Sequence, residues 1–319
     1  MTPANGTESQ PAICDPHLHL YSEGRRHPYR IDDLRVDLAD GHNVVAAVYI
    51  EAANSFREEG PEALRPVGET EWVAEEDGAG LLSGIVGYAD LRLGAAVEDV
   101  LDAHRAAAPG RFCGVRYRTN WDRSPDVPNS RFADGPGLLG ESRVRRGVAV
   151  LGRLGLTLDL FVYFHQLDEV ASLAHALPDV PMVIDHFGAP IGIGPYAGRR
   201  GETLAALRRG LEPLASADNV YIKLGGLGWP GHGLEWEARP QPPGAAEVAA
   251  AWEPLHAWCI DAFGPDRCMC ESNYPSDRPS LPYRTIWDAH MLMTRALAES
   301  ERAAVLHDTA ARFYRLDVP

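Results

Sequence analysis

Cysteine is scarce in this chain, and its spacing pairs nothing. Five occur in 319 residues, Cys14, Cys113, Cys259, Cys268 and Cys270, and no Cys-x-x-Cys is present. An odd number without paired spacing argues against a disulfide framework and a zinc knuckle and fits a reducing cytoplasm. Cys268-Met269-Cys270 reads as part of an apolar strand. Basic tracts are also missing, and the formal charge is -15. A nucleic-acid partner is therefore not expected, and the acidity serves solubility. No apolar run approaches the ~20 residues that span a bilayer, so no membrane partner is expected. Residues 1–11 lack a basic n-region and an apolar h-region, so they read as a disordered lead-in rather than a signal peptide. There is no internal repeat of short period.

What remains is a chain rich enough in apolar residues (45%) to bury a large core. Residues 12–319 alternate apolar, β-branched runs with segments of helical spacing. The expected strands are 12–19, 44–50, 84–90, 112–118, 157–164, 180–186, 220–224 and 267–272. Expected helices are 94–108, 167–177, 204–214, 245–263 and 299–314. Near-continuous apolar runs suit parallel strands covered on both faces. Eight such alternations favour a single-domain α/β protein, a (β/α)8 TIM barrel, over a doubly wound sheet.

In such a barrel the chemistry belongs at the C-terminal strand ends. The first strand, Ile13-Cys14-Asp15-Pro16-His17-Leu18-His19, organises the rest. With regular alternation, Asp15, His17 and His19 share one face, and two imidazoles so placed can bind one cation. The later strand ends supply Glu51, Arg116 and Arg118, then Tyr163, His165 and Gln166, then His186, Lys223, Glu271, Asn273 and Asp277. Ionisable groups are costly to bury unless paired or metal-bound, so a ring of them marks a site. Long Gly/Pro-rich loops at 119–138, 188–200 and 225–244 read as lids. Trp252 and Trp258 read as packing residues, and His232 as a surface residue.

These segments resemble the amidohydrolase superfamily. More narrowly, they resemble its TIM-barrel hydrolases that include sugar lactonases and pyrone-dicarboxylate lactonases. The resemblance rests on Asp15-Pro16-His17-Leu18-His19, the segments 159–167, 183–190 and 221–227, Glu271-Ser272-Asn273-Tyr274-Pro275-Ser276-Asp277 and the tail 310–314. It implies that His17, His19 and His186 form the metal or carbonyl-polarising site. It also implies an Asp at the end of strand eight as general base, where this chain has Asn273. An amide cannot take a proton at neutral pH, so Glu271 or Asp277 is expected to supply the missing carboxylate.

The reaction expected is hydrolysis of a small anionic cyclic ester (a lactone) or related acyl compound. His17, His19 and His186, with Glu51 as fourth ligand or orienting group, suit a divalent cation, Zn or Mn. Activity without metal also fits the sequence, though a bound cation is the first expectation. Arg116 and Arg118 would hold a substrate carboxylate, with Tyr163 and His165 beside the ring and Lys223 pairing Glu51, Glu271 or a substrate anion. The alternatives are a metal-assisted decarboxylase or lyase of the same superfamily and a non-catalytic binding barrel. A monomer and an oligomer both fit the sequence.

Overall fold

Eight parallel strands follow one another round the sheet in sequence order, β1-β2-β3-β4-β5-β6-β7-β8. The computed structural model describes residues 10–24, 27–78 and 80–318. The lead-in expected at 1–11 lies outside the described residues, apart from Gln10 and Pro11. The strands are β1 Ile13–Leu18, β2 Val44–Ile50, β3 Gly84–Gly87, β4 Phe112–Arg118, β5 Thr157–Phe161, β6 Met182–Ile184, β7 Val220–Leu224 and β8 Cys268–Cys270. The barrel closes by backbone contacts between β1 and the segment after β8. Asn273 N donates to His17 O at 2.9 Å, and His19 N donates to Tyr274 O at 2.7 Å.

Among the described residues ten α-helices cover the barrel. They are α1 Ile31–Leu38, α2 Val67–Glu76, α3 Val97–Ala107, α4 Ser142–Arg153, α5 Leu167–Ala176, α6 Arg200–Ala215, α7 Ala245–Phe263, α8 Tyr283–Met293, α9 Glu299–Ala303 and α10 Thr309–Tyr314. The single helix expected over 299–314 is instead interrupted by a π turn, Ala304–Asp308. A regular helix turns a face away from the barrel every few residues. The wider turn buries Ala304, Val305, Leu306 and His307 in succession against β1 and β8. Trp252 is buried and Trp258 packs against the core as expected. Among the described residues no helix is long and apolar enough to cross a membrane.

Four strands, β3, β5, β6 and β8, end well short of their apolar runs, and for the last three the reason bears on the site. Strand β6 stops at Ile184 and β8 at Cys270 because His186, Phe187, Ala189 and Asn273 adopt positive φ. Left-handed backbone at non-glycine residues is uncommon and clusters at functional sites. Strand β5 stops at Phe161; beyond it, Gln166 Oε1 accepts from the backbone N of Tyr163 at 3.1 Å and of Trp121 at 2.9 Å. The regular alternation expected for β1 also fails. Its register against β2 shifts at Asp15, and Pro16 brings no N–H to the ladder. Cys14 therefore packs in the barrel interior with Val48, Val183 and Met269. Asp15 points away, accepting from Ser272 N at 3.1 Å and from Tyr283 Oη of α8 at 3.1 Å.

One packing contact sets how closely the outer ring can approach. Gly147 of α4 lies against the Leu91 carbonyl, and a Cβ there would fall on that oxygen. Gly147→Ala is expected to lower unfolding free energy by about 1–3 kcal/mol through overpacking, read as a lower urea midpoint at unchanged m-value.

Candidate active site

Two of the three sequence-identified imidazoles are held by one carboxylate. Glu271, just past β8, accepts from His186 Nδ1 at 2.6 Å through Oε1. Its Oε2 stands 2.9 Å from His17 Nδ1. Gly225, after β7, makes room for this, because a Cβ there would run into the Glu271 side chain. Burial acts to raise the Glu271 carboxyl, but His186 and His17 outweigh it and hold it well below the usual carboxylate range. An ionised Glu271 fixes the Nδ1–H tautomer of His186, leaving its Nε2 lone pair free, while His17 Nδ1 stands between the Glu271 carboxylate and the Lys223 ammonium. His17 Nε2 is buried and has no hydrogen-bond partner. His19 is fixed the same way, with Nδ1 donating to Ile50 O at 2.7 Å. The His17 ring lies 4.9 Å from that of His19 and 4.6 Å from that of His186. Burial, with Lys223 adding to it, lowers His17 to about 4, and burial with His17 and Arg116 puts His19 well below its ordinary value.

Below this cluster a column of charge fills the barrel. Lys223 Nζ donates to Asp159 Oδ2 at 2.6 Å and pairs with Asp185 Oδ1 at 3.1 Å. It also stands 3.1 Å from His17 Nδ1. Tyr314 of α10 closes the lower end, donating to Asp159 Oδ2 at 2.6 Å. Arg116 bonds Asp185 Oδ2 at 2.9 Å and Glu51 O at 3.1 Å. Arg118 Nε pairs with Glu51 Oε1 at 2.7 Å. Burial raises the Asp159 carboxyl to about 6 against the pull of Lys223.

An open cavity of about 480 Å³ empty volume sits above, walled by His19, His186, Arg116, Arg118, Phe161 and Asn273 among others. Several expected placements change. Glu51 pairs its carboxylate with Arg118 and is not among the clustered ligand atoms of His17, His186 and Glu271. Lys223 is fully buried beneath His17 and does not line the cavity. Tyr163 turns its hydroxyl to Pro128 O, and His165 Nε2 meets Trp121 O at 3.1 Å, so neither lines the cavity. Phe161 takes the wall they were expected to form, because β5 ends there. Asp277 sits behind Asn273, accepting from its Nδ2 at 2.8 Å and from Gly228 N at 2.7 Å. Of the two carboxylates expected near Asn273, Glu271 is engaged by His186 and close to His17, and Asp277 is bonded to Asn273 itself. His232 is buried rather than exposed, its Nδ1 donating to Pro190 O at 2.8 Å. Asp159 and Asp185 escaped notice as site residues, although an acid inside an apolar strand run was the available signal.

The donor set fits a divalent cation. His19 and His186, each oriented by an Nδ1 hydrogen bond, and the unpartnered Nε2 of His17 offer imidazole nitrogens. The atoms of His17, His186 and Glu271 lie within 4.8 Å of one another, and His19 falls outside that group. Around them three cations, Lys223, Arg116 and Arg118, face four carboxylates, Asp159, Asp185, Glu51 and Glu271. The excess of negative charge favours a bound cation. A second group, His256, Cys270 and His290, lies behind β8. There His290 Nε2 donates to Glu271 O at 3.1 Å and so ties α8 to the strand end that carries Glu271.

Comparison with known proteins places these residues in context. The family model described as "Amidohydrolase" matches residues 14–316. An uncharacterized protein, y4mH, of Sinorhizobium fredii is 32% identical over 327 residues, covering 96% of this chain and 99% of that protein. An L-fucono-1,5-lactonase of Burkholderia multivorans is 27% identical over 240 residues, covering 75% and 73%. The crystal structure of an amidohydrolase from Burkholderia multivorans with bound Zn superposes with TM-score 0.75 at 22% identity, over 97% of this chain and 100% of that one.

Acid should unfold this protein through its buried imidazoles. Burial lowers His17, His104 and His290 to about 4 and His232 and His256 to about 3, and His19 lies well below its usual value. Each then stabilises the fold above its unfolded value of about 6.5, and that contribution is lost as pH falls through the folded value. Four buried carboxyls act with the opposite sign, Asp15 and Asp159 raised by burial to about 6, Glu69 to about 7 and Asp277 well above its usual value. Six imidazoles outweigh four carboxyls. The urea midpoint is expected to fall continuously from about pH 6.5 to about pH 4.

Proposed function

The chain belongs to the amidohydrolase family, and from that premise we propose that it hydrolyses a small anionic cyclic ester at the cavity above His17, His19 and His186. The observation that carries the proposal is the gathering of His17 and His186 on one carboxylate, Glu271, beside a cavity that also presents two guanidinium groups. The relative named as a lactonase supports the choice of ester.

His17, His19 and His186 would hold a divalent cation, which when bound supplies Lewis-acid polarisation of the acyl oxygen. Arg116 and Arg118 already pair with Asp185 and Glu51, so a substrate carboxylate meets the remaining guanidinium N–H groups, held in place by those pairs. Asn273 lines the cavity and would orient the attacking water without taking its proton, which passes to the ring oxygen freed as the acyl–oxygen bond breaks. Glu271 keeps both imidazoles oriented. In the cation-free protein the same His186–Glu271 pair has the form of a general-base dyad, with Nε2 as the proton acceptor. A second reading, decarboxylation, is favoured by Asn273, because that reaction needs no base on water.

Protein purified without added metal is expected to retain about one Zn or Mn per chain and to lose lactone hydrolysis on chelation. Full activity in metal-free protein would assign the reaction to the His186–Glu271 dyad. Release of CO2 from carboxylate substrates with no lactone turnover would select decarboxylation. Ligand-dependent melting without any turnover would select a binding barrel.

Glu271→Gln is expected to weaken cation retention about 10–100-fold while leaving the urea transition cooperative. Unchanged retention would separate Glu271 from the histidines' function.

A further inference from the structure

Beside the polar cavity lies a second one, larger and of different chemistry. Its empty volume is about 1380 Å³, against about 480 Å³ for the cavity over the histidines. The two share Tyr21, Trp229 and Ser276 as walls, so they adjoin there. At that boundary Tyr21 Oη and Ser276 Oγ are 2.9 Å apart in a hydrogen bond. Tyr21 stacks near-parallel on His19 with ring centroids 6.1 Å apart. Trp229 is braced edge-on by Phe161 at 5.9 Å. Four prolines, Pro28, Pro230, Pro275 and Pro279, make up much of the remaining wall and present carbon only, with His27 and Arg278 as its polar members.

Resting on the reading of the polar cavity as the reaction site, we propose that this groove is a substrate subsite for an apolar arm. The substrate class is then a carboxylate-bearing ring with an alkyl or aryl substituent of several carbons. Its charged end faces Arg116 and Arg118, and its arm passes between Tyr21 and Trp229. A sugar lactone, hydroxylated on every side, would leave the hydroxyls that face the prolines rather than His27 or Arg278 unpaired, which costs affinity. An aromatic or aliphatic arm gains there by burial, and the rigid rings and prolines lose little entropy on contact.

The test is a homologous series of lactones differing only in arm length, assayed beside a melting-shift series of the matching non-cyclic carboxylates at equal concentration. Burial of each methylene is expected to raise kcat/KM about threefold over the first few carbons, and the melting shift should grow in parallel. Trp229→Ala should flatten both series. Pro28→Asp, on the exposed rim, should weaken only the long-armed members. An active enzyme whose kcat/KM is flat or falls with arm length, or that prefers sugar lactones, would overturn the proposal. Absence of hydrolysis with a melting shift that still grows with arm length would uphold the groove and remove the hydrolase reading instead.

Discussion

The ammonium of Lys223, buried at the centre of the barrel, is the constraint around which the site is arranged. Isolated in such a place it would be severely penalised, so it is met by Asp159 and Asp185. Those two carboxylates create further demands. Tyr314 satisfies Asp159 from below, and Arg116 and His17 meet Asp185 from above. Arg116 then reaches the Glu51 backbone, and Arg118 takes the Glu51 side chain. The cavity floor is thus the upper end of a network anchored on the last helix. Side chains on β4, β5, β6 and β7 keep fixed positions because each compensates a neighbour's charge.

Much of this architecture was legible from residue order. The bounds of β2, β4, β7 and α7 follow directly from their apolar runs, because nothing at their ends competes with regular backbone. His17, His19, His186, Arg116, Arg118 and Asn273 were also visible, since polar groups ending apolar runs stand out. What could not be read was direction. Asp15 falls on the expected face only if β1 is regular, and Pro16 breaks that regularity. Tyr163 and His165 follow the true end of β5 and turn away. Whether Glu271 is a base or a clamp depends on two imidazoles from opposite sides of the barrel, information that no local pattern carries. Helices α1, α2, α4 and α8 went unread. In α4, Val144, Val148 and Leu151 form an apolar stripe, but arginines and Gly147 interrupt it.

The substitution of an amide at Asn273 is less a gap than a rearrangement. A carboxylate there would stand within hydrogen-bonding distance of Asp277, which is itself buried. Two like charges so close would force one to stay protonated. Asn273 avoids that conflict and gains a fixed orientation from its Nδ2 bond. The retained acid lies one layer deeper, where it orders the turn through Gly228.

The seam between β1 and the segment after β8 joins residues separated by 257 positions in the Asp15–Ser272 bond. Neighbouring strands elsewhere pair across short connections and can form early, while contacts of long sequence separation form late. His17 and His19 stand on one side of the seam, and Glu271 and Asn273 on the other. Folding kinetics and activity are therefore joined. An intermediate with seven strand pairs in place would have two open sheet edges, prone to mispairing, and no active centre. Recovery of activity during refolding would report the final closure of the barrel rather than the growth of its secondary structure.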